Sequence, residues 1–452
     1  MNSLGLSMIV RDAADLLPAC LASVKPAVSE IVIADTGSKD STISVAQSLG
    51  AKVFSIPWSD NFAEARNLCL AQMTASWILS LDADEILDSS ALAQLPCLLE
   101  KTSADGFQVT IRNYVLSLED RIWDRPAIPN HFPKPFAAKY PAYVEHQNVR
   151  LFRRSPDVHF VGRVHESVGP RLLELHRLIE NAPFFIHHFG LAASAETRER
   201  KNRFYRELGR EKIRERPRDA QAHLELGLVE MDNFGNLDEA LRLFERACLL
   251  NPRLGVAWFF EGLVLLRRSR FTDALKSLVQ AERQGHRTAL VAESQGDANY
   301  NLGCFPAAVN FYELALHREP ASPLFESKLG LAQLRAGDIE RGLKHLYRAR
   351  ESRPNVAEVH DRLILALVSL DRLTEAAQAA EQKLTSIPAP LPTDFLRAAS
   401  LWAKATDPSR AAAMLQAGLQ VAPGDKSLQR ALDELTQVLN LREFSSAIKS
   451  TT

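Results

Sequence analysis

The stretch from Trp77 to Leu87, WILSLDADEIL, decides how the first half of this chain is read. Five mostly apolar residues run straight into Asp82, Ala83, Asp84 and Glu85. On an extended segment, side chains two positions apart point to the same side. Asp82 and Asp84 are then able to share one hard cation, directly or through water, and the cation can grip phosphate oxygens. The alternative is a solvated strand end whose acids favour the N-terminus of the next helix. A motif this short does not separate the two readings, so the flanking sequence has to.

Upstream, short apolar runs alternate with helical patterns. LGLSMIV (4–10) precedes ADLLPACLASV, EIVIAD (30–35) precedes STISVAQSLGA, and KVFSIP (52–57) precedes FAEARNLCLAQM. β-Branched runs separated by helix-length segments predict a parallel sheet with crossover helices. Such sheets bind ligands beyond the C-terminal strand ends, where strand order switches. Asp35, Asp82 and Asp84 all fall at such ends. After residue 105, GFQVTIRNYVL and NVRLFRR read as strands with one solvated face. Between them lies the proline-rich WDRPAIPNHFPKPFAAKYPAYVEHQ (123–147), read as a long irregular segment of functional or mobile character.

From about residue 218 the sequence repeats itself. Ala240, Ala274, Ala308, Gly342 and Ala376 recur every 34 residues, and Leu237, Phe271, Phe305, Ile339 and Leu373 stand three positions before them. Ala247, Ala281, Ala315 and Ala349 keep the period, as do Pro252, Pro320, Pro354 and Pro388. Small residues let paired helices approach closely, and proline stops the second helix of each pair. The pattern resembles tetratricopeptide repeats, about six of them, closed by KSLQRALDELTQVLN as a capping helix. Stacked pairs of this kind expose an extended concave face, for which Trp258, Phe259, Tyr300, Phe325 and Trp402 are aromatic candidates, although helical spacing makes most of them core. The expected organisation is an α/β domain over residues 1–193, a charged linking helix over 194–217, and the repeat array over 218–452.

The chain has 452 residues, 46% of them hydrophobic and 24% charged, with a formal net charge of -1. That balance suits a soluble multidomain protein and gives no sign of a nucleic-acid partner. No apolar run has the length of a transmembrane segment, and LGLSMIV is too short for a signal-peptide core. Five scattered cysteines with no CxxC pair argue against a zinc site or a disulfide framework. The expected location is cytoplasmic, at most peripheral to an inner membrane.

Taken together, SMIVRDAADLLPACLASV, EIVIADTGSKDST and GAKVFSIPWSDNFAEARNLCLAQMTASWILSLDADE resemble family 2 glycosyltransferases of the GT-A fold. The resemblance covers about residues 3–190 and includes relatives fused to tetratricopeptide repeats. It implies an α/β GT-A domain, a nucleoside-diphosphate sugar donor and a divalent cation, Mn or Mg. By resemblance, Asp35 would accept a hydrogen bond from the nucleotide base, beside the turn of Thr36, Gly37, Ser38 and Asp40. Arg66 and Asn67 would lie near the nucleotide sugar. Asp82 and Asp84 would address ribose, diphosphate and metal, with Asp84 the better direct ligand. Arg11 stands where the look-alikes often carry Asn. Glu166, with His165 beside it in VGRVHESV, would be the base of an inverting enzyme, and His188 or His187 in FFIHHFG would approach the metal. Each residue has a structural alternative: a turn cap for Asp35, an exposed helix face for Arg66 and Asn67, a helix-start hydrogen bond for the His165–Glu166 pair, and a satisfied core position for the late histidines. Arg150, Arg153 and Arg154 are candidates for diphosphate or acceptor, or solvated arginines on a strand face.

The chemistry agrees with that resemblance. Breaking a sugar–diphosphate bond leaves an anionic group that a cation can stabilise, and the acceptor hydroxyl or amide must lose a proton to a base. The acceptor is expected to be a polypeptide or a glycan, with a protein partner docked on the repeats. No GxGxxG or GxxxxGK[ST] follows a strand, so dinucleotide redox and P-loop chemistry lack their phosphate cradles. The alternative from another class is a non-catalytic repeat scaffold with a sugar-nucleotide-sensing domain.

Overall fold

The computed structural model describes residues 2–117, 120–122, 125–132, 136–189 and 195–449. The chain divides into two compact units, Met1–Leu243 and Phe244–Thr452. The first opens with strict alternation: β1 (Leu4–Val10), α1 (Leu17–Val24), β2 (Glu30–Asp35), α2 (Thr42–Ser48), β3 (Lys52–Ser55), α3 (Phe62–Leu70) and β4 (Trp77–Ser80). These four strands are parallel, in the order β3-β2-β1-β4. Both faces are covered. Leu6, Met8, Ile33 and Leu79 pack into one layer with Leu17 and Leu21 of α1. Val32, Ala34 and Ile78, of opposite parity, pack into the other with Ala63 and Cys69 of α3. Coverage on both sides is why these strands read as continuous apolar runs.

The rest of the α/β part is β5 (Glu85–Leu87), α4 (Ser89–Lys101), β6 (Gly106–Val115), β7 (Arg121–Ile122), β8 (Arg125–Pro126), β9 (Ile128–Pro129), β10 (Ala142–Arg153), α5 (Gly169–Glu174) and β11 (Ile179–His188). It extends the sheet to β3-β2-β1-β4-β10-β6-β11-β5, with β9 also paired to β10. Strand order switches between β1 and β4, because the chain builds outward to β3 and then returns to the other flank of β1. Antiparallel β10 is registered with Leu151 opposite Leu79, and β11 with His188 opposite Glu85. Residues from three distant segments therefore meet at the C-terminal end of β4.

One sequence expectation changes here. Residues 142–147 are not irregular: they form the first half of β10, paired with β6 from Ala142–Val115 to Gln147–Thr110. Pro141 is the last proline, and beyond it Ala142 and Val144 alternate inward and are fully buried. Residues 123, 124 and 133–135 of that segment lie outside the described residues.

Helix α6 (Ala195–Glu215) leads to α7 (Ala220–Asp232) and α8 (Leu237–Leu250). The series continues with α9 (Gly255–Arg267), α10 (Phe271–Arg283), α11 (Ala289–Asn301), α12 (Phe305–Arg318), α13 (Pro323–Arg335) and α14 (Ile339–Ser352). It ends with α15 (Ala357–Ser369), α16 (Leu373–Ser386), α17 (Pro392–Lys404), α18 (Pro408–Val421) and α19 (Lys426–Lys449). The register read from sequence is literal. Leu237, Phe271, Phe305, Ile339 and Leu373 are the first residues of α8, α10, α12, α14 and α16. Pro252, Pro320, Pro354 and Pro388 each stand two residues past a helix end. A second register, unnoticed in the sequence, explains the spacing: Gly262, Gly296 and Gly330 each lie against the next helix, at Leu278 and Ala274, at the Tyr312 ring, and at Gly342 and Leu346. A Cβ on Gly330 would lie 2.7 Å from the carbonyl oxygen of Gly342, and one on Gly342 equally close to that of Gly330. Of the five aromatic candidates for an open face, Phe259, Phe325 and Trp402 are buried core. Trp258 donates its indole N–H to the Pro252 carbonyl at 2.9 Å, and Tyr300 meets Phe305 edge-on.

Gly342→Ala tests this packing. Alanine is the better helix former by about 1 kcal/mol, yet its methyl meets backbone on the facing helix, which costs about 1–3 kcal/mol when nothing flexible can yield. Urea unfolding should therefore show a lowered midpoint. A raised midpoint would mean that the helices simply move apart.

Candidate active site

The loops after β1 and β2 are laced together. Asp12, at φ +50°, accepts from the Lys39 amide at 2.7 Å, and its own amide donates to Ser38 Oγ at 2.9 Å. The Ala13 amide donates to Thr42 Oγ1 at 2.7 Å. Asp35 is buried at the end of β2, and its carboxylate accepts from the amides of Gly37 (3.0 Å) and Ser38 (3.1 Å). Gly37 has φ +101°, a conformation that needs glycine. Asp35 thus caps the turn, which is the structural reading of the residue. Arg11 is exposed at the mouth of these loops.

The DADE segment is a turn and not extended backbone. The Glu85 amide donates to the Asp82 carbonyl at 3.1 Å, and the Asp82 amide donates to the Glu85 carboxylate at 2.8 Å. The two aspartates engage different protein partners. Asp82 faces two guanidinium groups: Arg66 Nη2 at 2.6 Å and Arg150 Nη2 at 3.3 Å. Arg66 Nε reaches Glu166 Oε1 at 2.5 Å, and its Nη1 donates to Ser80 Oγ at 3.2 Å. Arg150 Nη2 also meets Glu85 at 2.8 Å. The result is an alternating chain, Glu166–Arg66–Asp82–Arg150–Glu85. Burial acts to raise the Asp82 carboxyl, but Arg66 and then Arg150 hold it well below the usual carboxylate range. Burial wins at Glu85, pushing it up to about 7 against the pull of Arg150.

Asp84 faces His188, with Oδ2 and Nε2 3.3 Å apart. Behind His188 stands Asn113, whose Nδ2 lies 3.0 Å from the Val144 carbonyl and whose Oδ1 lies 2.8 Å from His188 Nδ1. A carbonyl only accepts, so the amide nitrogen must face Val144 and the amide oxygen must face the histidine. His188 Nδ1 therefore carries a proton, and Nε2 is the atom presented to Asp84. His187 points away. It is fully buried, with Nδ1 2.8 Å from Tyr114 Oη and Nε2 3.4 Å from Asp88, among Phe132, Phe136 and Phe185. Burial lowers it to about 4 even though Asp88 opposes the shift. His187 is the satisfied core histidine and His188 the one at the site.

Glu166 sits on a tight loop whose neck is closed by paired backbone bonds between Val161 and Ser167. Asn67 holds the approach to this loop: its side chain donates to the Phe160 carbonyl at 3.0 Å and accepts from the Phe160 amide at 2.8 Å. Both ends of that amide are thus engaged by backbone, so Asn67 positions a loop and is left out of the site proposed below. His165 adopts φ +55° and stacks on Tyr205 of α6, with ring centroids 6.3 Å apart. A cleft of about 500 Å³ opens beside the loop, lined among others by Asn67, His159, Phe160, Arg163 and Lys212.

The structure brings Arg66, Asp82, Asp84, Glu166 and His188 together. Three participants were missed or left open. Arg150 occupies a β-bulge: β10 shifts register against β6 between Val149 and Leu151. Bulges re-aim a side chain, and no sequence signal marks this one. Arg153 and Arg154, open in sequence between ligand contact and a solvated strand face, bind backbone carbonyls, of Ala104 and Thr102 and of Ala75 and Thr74. Glu85 was legible only as the last letter of DADE. Asn113, a polar residue in an apolar strand, was the visible but unread signal. Among the described residues, no group of three His, Cys, Asp or Glu side chains stands close enough to hold a metal by itself.

Family models match both the α/β sheet that carries this site and the helix pairs that follow it. Residues 7–160 match the model of glycosyl transferase family 2, and residues 206–253, 261–323 and 327–390 match that of a tetratricopeptide repeat. The chain carries a family 2 glycosyltransferase domain followed by tetratricopeptide repeats. Among its relatives is a TPR repeat-containing protein of Synechococcus elongatus, 39% identical over 175 residues, covering 39% of this chain and 38% of that one. An uncharacterized glycosyltransferase of Rickettsia felis is 30% identical over 112 residues (24% and 38%). The prophage-derived glycosyltransferase SunS of Bacillus subtilis is 26% identical over 165 residues (35% and 33%). The chain therefore spans little more than a third of these relatives' lengths. A tetratricopeptide repeat protein from Parabacteroides merdae overlays 53% of this chain and 94% of its own at 12% identity and a TM-score of 0.42.

Arg66→Met tests the alternating chain. It leaves Glu166 and Asp82 facing each other across an apolar side chain. Removing one member of a buried ionic group costs on the order of 3 kcal/mol or more. Chemical denaturation should show that loss, and Arg66→Met combined with Glu166→Gln should recover part of it. No recovery would mean that Arg66 matters only for packing.

Proposed function

We propose that the chain transfers a sugar from a nucleoside-diphosphate donor to an acceptor, with inversion at the transferred carbon. The observation that carries this reading is the division of the switch-point carboxylates. Asp84 faces a histidine with a fixed tautomer, while Glu166, across Arg66 from Asp82, is oriented through one oxygen and keeps the other. A donor diphosphate would lie over the C-terminal ends of β1 and β4. Arg150 Nε is buried without a hydrogen-bond partner among the described residues, leaving one donor for an anionic oxygen. Asp84 and His188 Nε2 would hold a divalent cation, Mn or Mg, which completes its shell with water and diphosphate oxygens when a protein supplies only one or two ligands. Asn113 orients His188 for that purpose, as partners of metal-bound histidines commonly do. When bound, the cation would supply charge stabilisation to the departing diphosphate. Asp82 acts within the guanidinium chain, holding Arg66 and Arg150 in place. Glu166 takes the acceptor proton on its second oxygen as the acceptor attacks, with Arg66 fixing the first.

The acceptor is a polypeptide or a glycan, and the repeats dock it or a protein partner, supplying local concentration. No described helix is long and apolar enough to cross a membrane. The proposed location is the cytoplasm, at most peripheral at an inner membrane, where the five free thiols would stay reduced. A second reading, a sugar-nucleotide sensor on a repeat scaffold, is favoured by one observation: Asp35 and Asp82 are already engaged by protein groups. A panel of UDP- and GDP-sugars with Mn discriminates between the two, because a sensor binds but releases no nucleoside diphosphate.

Two substitutions probe the two sides of the site. Asp84→Asn should leave unfolding stability within about 0.5 kcal/mol, as expected of a partly exposed residue, and should abolish the Mn dependence of donor binding in calorimetry. Donor affinity that stays Mn-dependent would remove Asp84 from the cation site. Glu166→Gln should leave donor affinity unchanged and lower turnover by about 100-fold or more, the scale of a positioned base. Parallel losses in affinity and rate would make Glu166 a structural partner of Arg66.

A further inference from the structure

Helix α6 reads in sequence as a charged linker, but two of its residues are aromatic: Tyr205 meets the loop that carries Glu166, and Phe204 packs beside it. The Tyr205 ring lies 6.2 Å from Phe62 and 6.3 Å from His165, near-parallel to both at 22° and 11°. Phe204 packs on Trp58 and Phe62 at 6.1 and 6.4 Å. In the last turn, Glu215 forms an ion pair with Arg163. The loop from Val161 to Ser167 is thus held by α6 at positions 163 and 165, immediately before Glu166. Within the loop, backbone bonds close only the neck. The Phe62 amide donates to the Arg163 carbonyl at 2.9 Å and Arg163 donates to the Asp60 carbonyl at 3.0 Å, but no bond of this kind among the described residues reaches His165, which sits in the left-handed region that side chains with a Cβ avoid. Helix α6 is itself fixed from behind. Arg206 forms two bonds of 2.7 Å with Glu230, Lys212 reaches Glu225 at 2.7 Å, and a Cβ on Gly209 would meet Leu226 at 3.1 Å. Both Tyr205 and Glu166 lie between the stretch matched by the glycosyltransferase model and the stretches matched by the repeat model.

We propose that α6 is a working part of the transfer site and that Tyr205 is a positioning residue. Its ring, wedged between Phe62 and His165, fixes the loop that presents Glu166 to the acceptor. The inference rests on the reading of Glu166 as the base. Burial, together with the charges of Glu166, Asp82 and Asp84, pushes the Tyr205 hydroxyl up to about 12, so it stays protonated beside those carboxylates. Donor binding on the Asp84 side does not involve Tyr205, and turnover does.

The test uses the full chain, with UDP-glucose and GDP-mannose in the presence of Mn as probes. Donor affinity is read by calorimetry and nucleoside diphosphate release as turnover. Tyr205→Phe keeps the ring and its stacking, so it folds and should retain turnover within about threefold, whereas Tyr205→Ala should lose roughly 100-fold, the scale of a misplaced catalytic group. Donor affinity should stay within twofold in both. Glu166→Gln with Tyr205→Ala should lose little more than Glu166→Gln alone, because one residue acts through the other. A Tyr205→Ala variant with near wild-type turnover beside an inactive Glu166→Gln would overturn this inference and leave the base reading intact. An active Glu166→Gln would overturn the base reading itself, and this inference with it. Additive losses in the double variant, or affinity falling in step with turnover, would also overturn it. If Tyr205→Ala does not fold, Tyr205→Leu takes its place, judged by the same affinity-against-turnover split.

Discussion

A buried guanidinium is tolerated only where carboxylates surround it, and the first unit of this protein is organised around one. Arg66 is 5% exposed, projects from α3, and has each of its three nitrogens on a different protein group: Glu166, Asp82 and Ser80. Stripping such an ion of water costs several kcal/mol unless the surrounding geometry compensates. The compensation ties together segments that are otherwise far apart in sequence: the end of β4, the loop at residues 161–167 and, through Asp82, the bulge at Arg150. The burial of Arg66 is thus what turns three loops into one rigid site.

Strand register supplies the second constraint. The parallel half of the sheet sets the floor of the site by ending β1 and β4 side by side. Chemistry enters from the antiparallel half, since β10 brings Arg150 and β11 brings His188 against that same edge. A one-residue slip in β11 would exchange His188 with His187, moving a neutral core histidine to the site and a polar one into the cluster of Phe132, Phe136 and Phe185. The aromatic cluster around His187 and the Asn113 contact on His188 therefore specify the register as much as they serve the site.

The legibility of the sequence follows from the range of the forces involved. Alternating strands and helices were readable because burial on both faces of β1, β2 and β4 leaves a local apolar signature. The repeats were readable because close helix packing demands small residues at a fixed period, down to the first residue of each second helix. Asp84 is raised by the local DxD pattern, whereas Glu166 and the late histidines come only through resemblance. The turn at residues 82–85 was misread as extended, because its closure depends on a Glu85 contact that periodicity does not encode. The bulge at Arg150 and the clamp of Asn67 on Phe160 were invisible for a different reason: each is a tertiary contact between segments more than forty positions apart. The proline-rich segment misled in the opposite direction, since composition averaged over residues 123–147 concealed the strand that begins after Pro141.

The same averaging concealed α6. Its many arginines and glutamates describe the solvated part of the helix, and they dominate any reading by composition. A helix has more than one face, however, and three or four residues are enough to decide what it packs against. Here Phe204 and Tyr205 meet Trp58, Phe62 and His165, while Gly209 lies against Leu226 of α7. Charged residues then reinforce both contacts, Glu215 with Arg163 on one side, and Arg206 with Glu230 and Lys212 with Glu225 on the other. A segment joining two recognisable modules is commonly treated as a spacer. A spacer has no reason to place adjacent aromatic residues against the neighbour of a candidate base, or to bury a glycine against the helix behind it. The two-sided packing of α6 makes it a wedge, and the loop bearing Glu166 takes its shape from that wedge.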